Sequence, residues 1–147
     1  MEDDLNYTLP ENVWEVFEEP KANYGKRESN VEFAKKLRKR MKLASIEVID
    51  FFEDQPNSSA LNVIRFQLLK SSTSAAANYR AACRARSKRE FYAKLCIVVE
   101  ETDETLFWLE VLHDSKIKTD NSLVAAMGKE WQEILMIVAK AKANTSI

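Results

Sequence analysis

Apolar side chains recur along this chain in alternating steps of three and four, the spacing that lays one stripe along an α-helix. Residues 31–54 carry Ala34, Leu37, Met41, Ala44, Val48 and Phe51 in this rhythm. Ser29 and Glu32 form a capping box at its start, and Pro56 ends it. A second stripe runs Leu61, Ile64, Leu68, Ser71, Ala75, Asn78 and Ala82. Its middle, Ser71 to Ala77, holds only small side chains, which lets a neighbouring helix approach and lets the hydroxyls bond back to their own backbone.

Ser87 and Glu90 make another capping box, opening a third helix with the stripe Phe91, Leu95, Val98, Thr102, Thr105, Leu109 and Leu112. A fourth begins after Thr119 and Asp120 and buries Val124, Met127, Trp131, Ile134, Val138 and Ala141. Gly128 inside it costs about 1 kcal/mol relative to alanine. Four helices with short links pack as antiparallel neighbours, so the pattern predicts an all-α, up-down-up-down four-helix bundle over residues 29–147. Residues 1–28 stand apart as an acidic arm with Pro10, Pro20, Tyr7, Trp14, Phe17 and Tyr24 and one short helical turn around Trp14.

Composition agrees with helices. The 147 residues suffice for one domain with its own core, and the whole chain has only two glycines and three prolines, too few for a sheet with tight turns. No apolar run nears the ~20 residues that span a bilayer, and the opening residues are acidic where a secretory signal is basic, so we expect a cytoplasmic protein that does not enter the membrane. Cys83 and Cys96 lie at unequal distances from the turn near Arg86 and Ser87, an axial offset of about 9 Å that a disulfide does not bridge. Both are expected to be reduced thiols.

Net charge is only −1, but the sign is segregated. Alternating helices place residues 31–42, 72–100 and 132–147 toward one end, the basal end, with net charge +10. The remaining bundle residues carry −6 and the arm −5. The basal cluster is Lys35, Lys36, Arg38, Lys39, Arg40 and Lys42 on the first helix, with Arg80, Arg84, Arg86, Lys88, Arg89 and Lys94 across the turn. Such density suits a phosphate backbone, RNA or DNA, bound through counterion release with little sequence preference. Charge runs are more commonly plain solvated surface, and here the convergence of two separate runs favours contact with nucleic acid. Tyr79 and Tyr92 would stack on bases if exposed, whereas Phe91 falls on the core stripe. An acidic arm folded over this end would mask it, so that removing residues 1–28 strengthens RNA binding.

Catalysis finds little footing. The lone His113 with Glu110 makes a single E-x-x-H, where a di-iron bundle needs two such motifs and two further glutamates. No phosphate loop, zinc spacing or nucleophile triad occurs. We therefore expect no catalytic residues, metal or cofactor. Among Glu100, Glu101, Asp103 and Glu104, a structural role is expected, with Glu101 or Glu104 facing Asn78 or Arg80 on the second helix and Asn78 setting helix register.

The stretch QLLKSSTSAAANYRAACRARSKREFYAKLCIVVEETDETLFWLEVL, with FAKKLRKRMKLA before it, resembles the S23-like four-helix bundle family encoded in intervening sequences of bacterial 23S ribosomal RNA genes. The likeness covers roughly residues 31–115 and rests on Leu68, Leu69, Ser71, Thr73, Ser74, Ala77, Asn78, Tyr79 and Arg80. In the third helix it rests on Ser87, Lys88, Phe91, Lys94, Leu95, Glu101, Glu104, Thr105, Trp108 and Leu109. Ser72 stands where the family often has glycine, and the acidic arm lies outside the usual pattern. The resemblance implies a closed homo-oligomer, commonly a pentamer, without catalytic residues. It also implies kinship with accessory proteins of diversity-generating retroelements, which associate with a reverse transcriptase and its nucleic acid. The chain is thus expected to be a non-enzymatic oligomer binding RNA or a ribonucleoprotein partner through its basic end, or else a protein-protein adaptor without nucleic acid.

Overall fold

The computed structural model describes residues 30–145, and the expectations for the arm and for the Ser29 half of the first capping box lie outside them. The described residues form α1 (Asn30–Glu53), α2 (Ser59–Ala82), α3 (Lys88–Asp114) and α4 (Asn121–Asn144), with no strand among them. The four pack as a square in which each helix touches its two neighbours and the diagonal pairs do not approach. This is the antiparallel bundle that the stripes predict. None of the helices is long and apolar enough to cross a membrane.

Local chemistry sets the helix ends. The Ser58 hydroxyl accepts from the Leu61 amide at 3.2 Å and starts α2, and Asp120 accepts from the Ser122 and Leu123 amides to start α4. At α3 the Ser87 hydroxyl accepts from Glu90 N, while the Glu90 carboxylate reaches past the cap residue to the Arg86 amide at 3.0 Å. The box therefore closes one residue earlier than the usual pattern. That backbone bond, reinforced by the Arg86 side chain, holds the Glu90 carboxyl below its ordinary value. Arg65 anchors the α1–α2 link by donating to the Gln55 and Pro56 carbonyls at 3.1 and 3.0 Å while lying over the Phe52 ring.

Every position of the predicted α1, α3 and α4 stripes is buried. In α2 the stripe steps from Ala75 to Tyr79 rather than to Asn78, and Tyr79 is wholly buried. The small-residue run becomes a hydroxyl layer across three helices. Ser45 Oγ of α1 contacts its own Met41 carbonyl and the Ser72 carbonyl of α2, both at 2.9 Å, and Thr105 Oγ1 of α3 meets Ser71 Oγ at 2.9 Å. Ser72 and Thr73 bond back to Leu68 and Leu69 as expected. Buried groups that pair across a seam favour one register, because slipping the helices would strand them. The register device is thus this serine-threonine layer. Asn78 instead turns back on its own helix, donating to the Ser74 carbonyl and hydroxyl.

Gly128 lies where α3 and α4 leave a shallow notch, and a Cβ added there would meet nothing within 4 Å. Alanine removes backbone entropy from the unfolded chain without crowding the folded one. Gly128→Ala is therefore expected to stabilise the bundle by about 0.5–1 kcal/mol, read as a raised urea midpoint at constant m-value. A lowered midpoint would mean that the notch closes on this position.

Candidate nucleic-acid interface

The antiparallel order brings the start of α1, the 83–87 link and the flanking ends of α2 and α3 to one end of the bundle, where the end of α4 joins them. Lys35, Lys36, Lys39 and Lys42 are exposed on α1, and Arg84, Arg86, Lys88 and Arg89 are exposed around the link. Lys140 of α4 is also exposed there, a cation that the summed charge of residues 132–147 included but that no motif singled out. Arg38, Arg80 and Lys94 are half-buried. The Arg38 guanidinium sits near Tyr79 and Cys83, close enough to favour ionisation of both, so it belongs partly to the core.

Arg40 departs from the expected surface. It points across the α1–α4 seam and donates to Glu130 through Nε and Nη2 at 2.5 and 2.9 Å, and to Glu133 through Nη2 at 2.5 Å. These bonds lower the Glu130 pKa and raise that of Arg40. A guanidinium already forked onto a carboxylate has little left for phosphate. Arg86 is likewise engaged, with its Nε 3.3 Å from Glu90, though it remains exposed.

Tyr79 cannot stack on bases, because it is enclosed in the core with its hydroxyl beside the Cys83 thiol. Tyr92 is half-buried, and Phe91 is buried as its stripe predicts. Glu101 does not meet Asn78 or Arg80. It faces Ser74 and Lys70, and burial, with the nearby Glu104 charge, raises its pKa. Glu104 accepts instead from Trp108 Nε1 at 3.3 Å.

Both cysteines are free thiols, Cys83 buried and Cys96 half-buried. Burial pushes Cys83 up to about 11, which suppresses the reactive thiolate. Ellman's reagent at pH 8 is expected to label one thiol per native chain quickly. Cys96→Ser removes that fast phase, and a fast phase lost on Cys83→Ser instead would contradict this burial. Among the described residues, no three His, Cys, Asp or Glu side chains come together as metal ligands. His113 is exposed, with Nδ1 2.9 Å from the Asp114 carboxylate.

No protein-family model and no curated protein matches this chain. Among solved structures, it is similar to a crystal structure at 1.70 Å from Bacteroides thetaiotaomicron, that of a protein with unknown function from the S23 ribosomal protein family. The two align with a TM-score of 0.63 and 24% identity over 72% of this chain and 97% of the other. The four-helix bundle is thus a fold that this chain shares with that protein.

Proposed function

We propose that this chain is a non-enzymatic S23-like bundle that assembles as a homo-oligomer in the cytoplasm and binds RNA, alone or within a ribonucleoprotein, through its basal end. The observation that carries this reading is the gathering of exposed lysines and arginines from two segments, 35–42 and 84–89, on one end of a chain whose net charge is −1. Multivalent cations on a rigid end release condensed counterions from a phosphate backbone without reading bases. The fold shared with an S23-family protein is compatible with the family resemblance, which implies a pentamer and a reverse-transcriptase partner. Exposed apolar side chains support assembly: Val63 and Phe66 lie one turn apart on α2, and Phe107 lies on α3.

Fluorescence anisotropy of the full chain with a labelled single-stranded RNA, titrated across a salt series, tests the proposal. Tight binding at low salt that weakens linearly in log-log form, by about 0.7 per phosphate contact, supports it. Absence of binding at low salt would turn the reading toward a protein-protein adaptor, which the same exposed apolar residues would serve.

A further inference from the structure

We propose that the groove between α1 and α4, at the end opposite the basic cluster, is a docking site for a cationic amphipathic helix of a partner protein. The α1–α4 seam is the only neighbouring pair without a covalent link and the most loosely packed of the four. The Arg40 clamp on Glu130 holds it together, and on the side of that clamp toward the α1–α2 link the helices leave an open groove of about 630 Å³.

Its two walls differ in chemistry. On α1, Glu47, Asp50 and Asp54 follow at i, i+3 and i+7, one flank of the helix over a rise of about 10 Å. All three are exposed and have no ion-pair partner among the described residues. Like charges at this spacing repel by a few tenths of a kcal/mol per pair, a cost that a cationic ligand relieves. On α4, Leu123, 45% exposed, and Ala126 supply the apolar side, and the edges of the buried Met127 and Phe51 floor the groove. Asp120 also borders the groove, but its carboxylate is committed to capping α4.

A rail of carboxylates beside an apolar strip matches a helix with lysines or arginines on one flank and leucine-like residues on the next. The chain's own arm has the wrong overall sign for this rail, −5 over residues 1–30. The basic half of α1 in a second copy does not fit either. Its apolar stripe, Ala34, Leu37 and Met41, is buried in its own bundle, and its exposed apolar side chains, Val31 and Leu43, stand twelve residues apart, too sparse to form a strip along the apolar wall. A separate polypeptide that carries both features along one helix fits the two walls together. This inference is independent of RNA binding at the basal end.

The test uses the full chain and a labelled helix-forming peptide of about 14 residues, with lysines spaced i, i+3 and i+7 and leucines on the adjoining flank. Asp50→Lys with Asp54→Lys is expected to weaken binding about tenfold, and Leu123→Ser about threefold. Glu100→Lys with Asp103→Lys, the same charge change on exposed positions of α3, is expected to leave affinity unchanged. If the lysine pair at the groove fails to fold, Asp50→Asn with Asp54→Asn gives the same direction with a smaller effect. Equal weakening by the α3 pair, equal binding of a scrambled peptide of the same composition, or displacement of the peptide by spermidine at matched charge would each overturn the proposal, since they reduce it to diffuse electrostatics.

Discussion

Trp131→Ala is expected to lower the stability of the bundle by about 3–4 kcal/mol, a larger loss than truncation of any smaller core side chain brings. Trp131 is the largest side chain on the α4 stripe and is wholly buried. Its removal takes away the transfer free energy of the indole and leaves a cavity that rigid helices fill only in part. One opposing contribution moderates the loss. The indole Nε1 is buried without an acceptor among the described residues, so truncation also removes an unsatisfied donor, worth about 1 kcal/mol. Against the 5–15 kcal/mol that typically separates folded and unfolded domains, this is a severe loss. Urea denaturation is expected to show the midpoint falling by about 2 M at an m-value near 1.5–2 kcal/mol/M. A shift below about 0.5 M would mean that Trp131 does not organise the core. Trp131→Phe, which keeps a ring and discards the orphaned donor, is expected to cost far less.

Reversing three basal charges, Lys35→Glu with Lys39→Glu and Arg89→Glu, is expected to reduce RNA affinity about 100-fold at low salt and to flatten the salt dependence by two to three contacts. These three are chosen because each is exposed. Arg38 is the poorer choice despite its place in the sequence cluster: it is half-buried near Tyr79 and Cys83, and a glutamate there would place a carboxylate against the core. Arg40 is poorer still, since its reversal would set three carboxylates together at the α1–α4 seam. The matched control is Lys116→Glu with Lys118→Glu and Lys129→Glu, exposed cations in the α3–α4 link and on α4. It alters net charge equally but lies away from the basal end. It is expected to change affinity by less than about threefold, because charges more than a Debye length from the RNA are screened. Equal losses from both triples would reduce the interaction to net charge alone.

Three of the four helical stripes are legible residue by residue in the sequence because each carries enough bulky apolar side chains, such as Leu37, Met41 and Val48, Phe91, Leu95 and Leu109, or Met127, Trp131 and Ile134, to fix its phase. The second is not. Between Leu68 and Tyr79 the core positions are serines and alanines, so steps of three and four after Ala75 compete on nearly equal terms. The structure chooses Tyr79, whose ring fills space that Asn78 does not. The same weak side-chain signal hid the hydroxyl layer, since nothing in one dimension says that Ser45 will meet Ser72, or Ser71 meet Thr105. Arg40 shows the limit in its plainest form. Its position on α1 marks it as lying outside the core stripe, but its partners stand 90 and 93 residues away. Which flank of α1 meets which flank of α4 is a packing outcome that periodicity does not encode. The expectation for Glu101 and Glu104 failed in a related way. A place beside Thr102 and Thr105 does not fix which partner a side chain takes, and side-chain direction turns Asn78 onto Ser74 and Glu104 onto Trp108.

The basal end itself was legible because it needs only helix order and direction. That economy is also why its chemistry can be checked with few assumptions. The most direct measurement is to crosslink the full chain to a single-stranded RNA with formaldehyde and ultraviolet light and to map the modified peptides by mass spectrometry. Adducts confined to residues 31–42, residues 80–94 and Lys140 are the predicted result. Adducts concentrated between residues 47 and 66 or between 103 and 130, with the basal lysines unmodified, would contradict it.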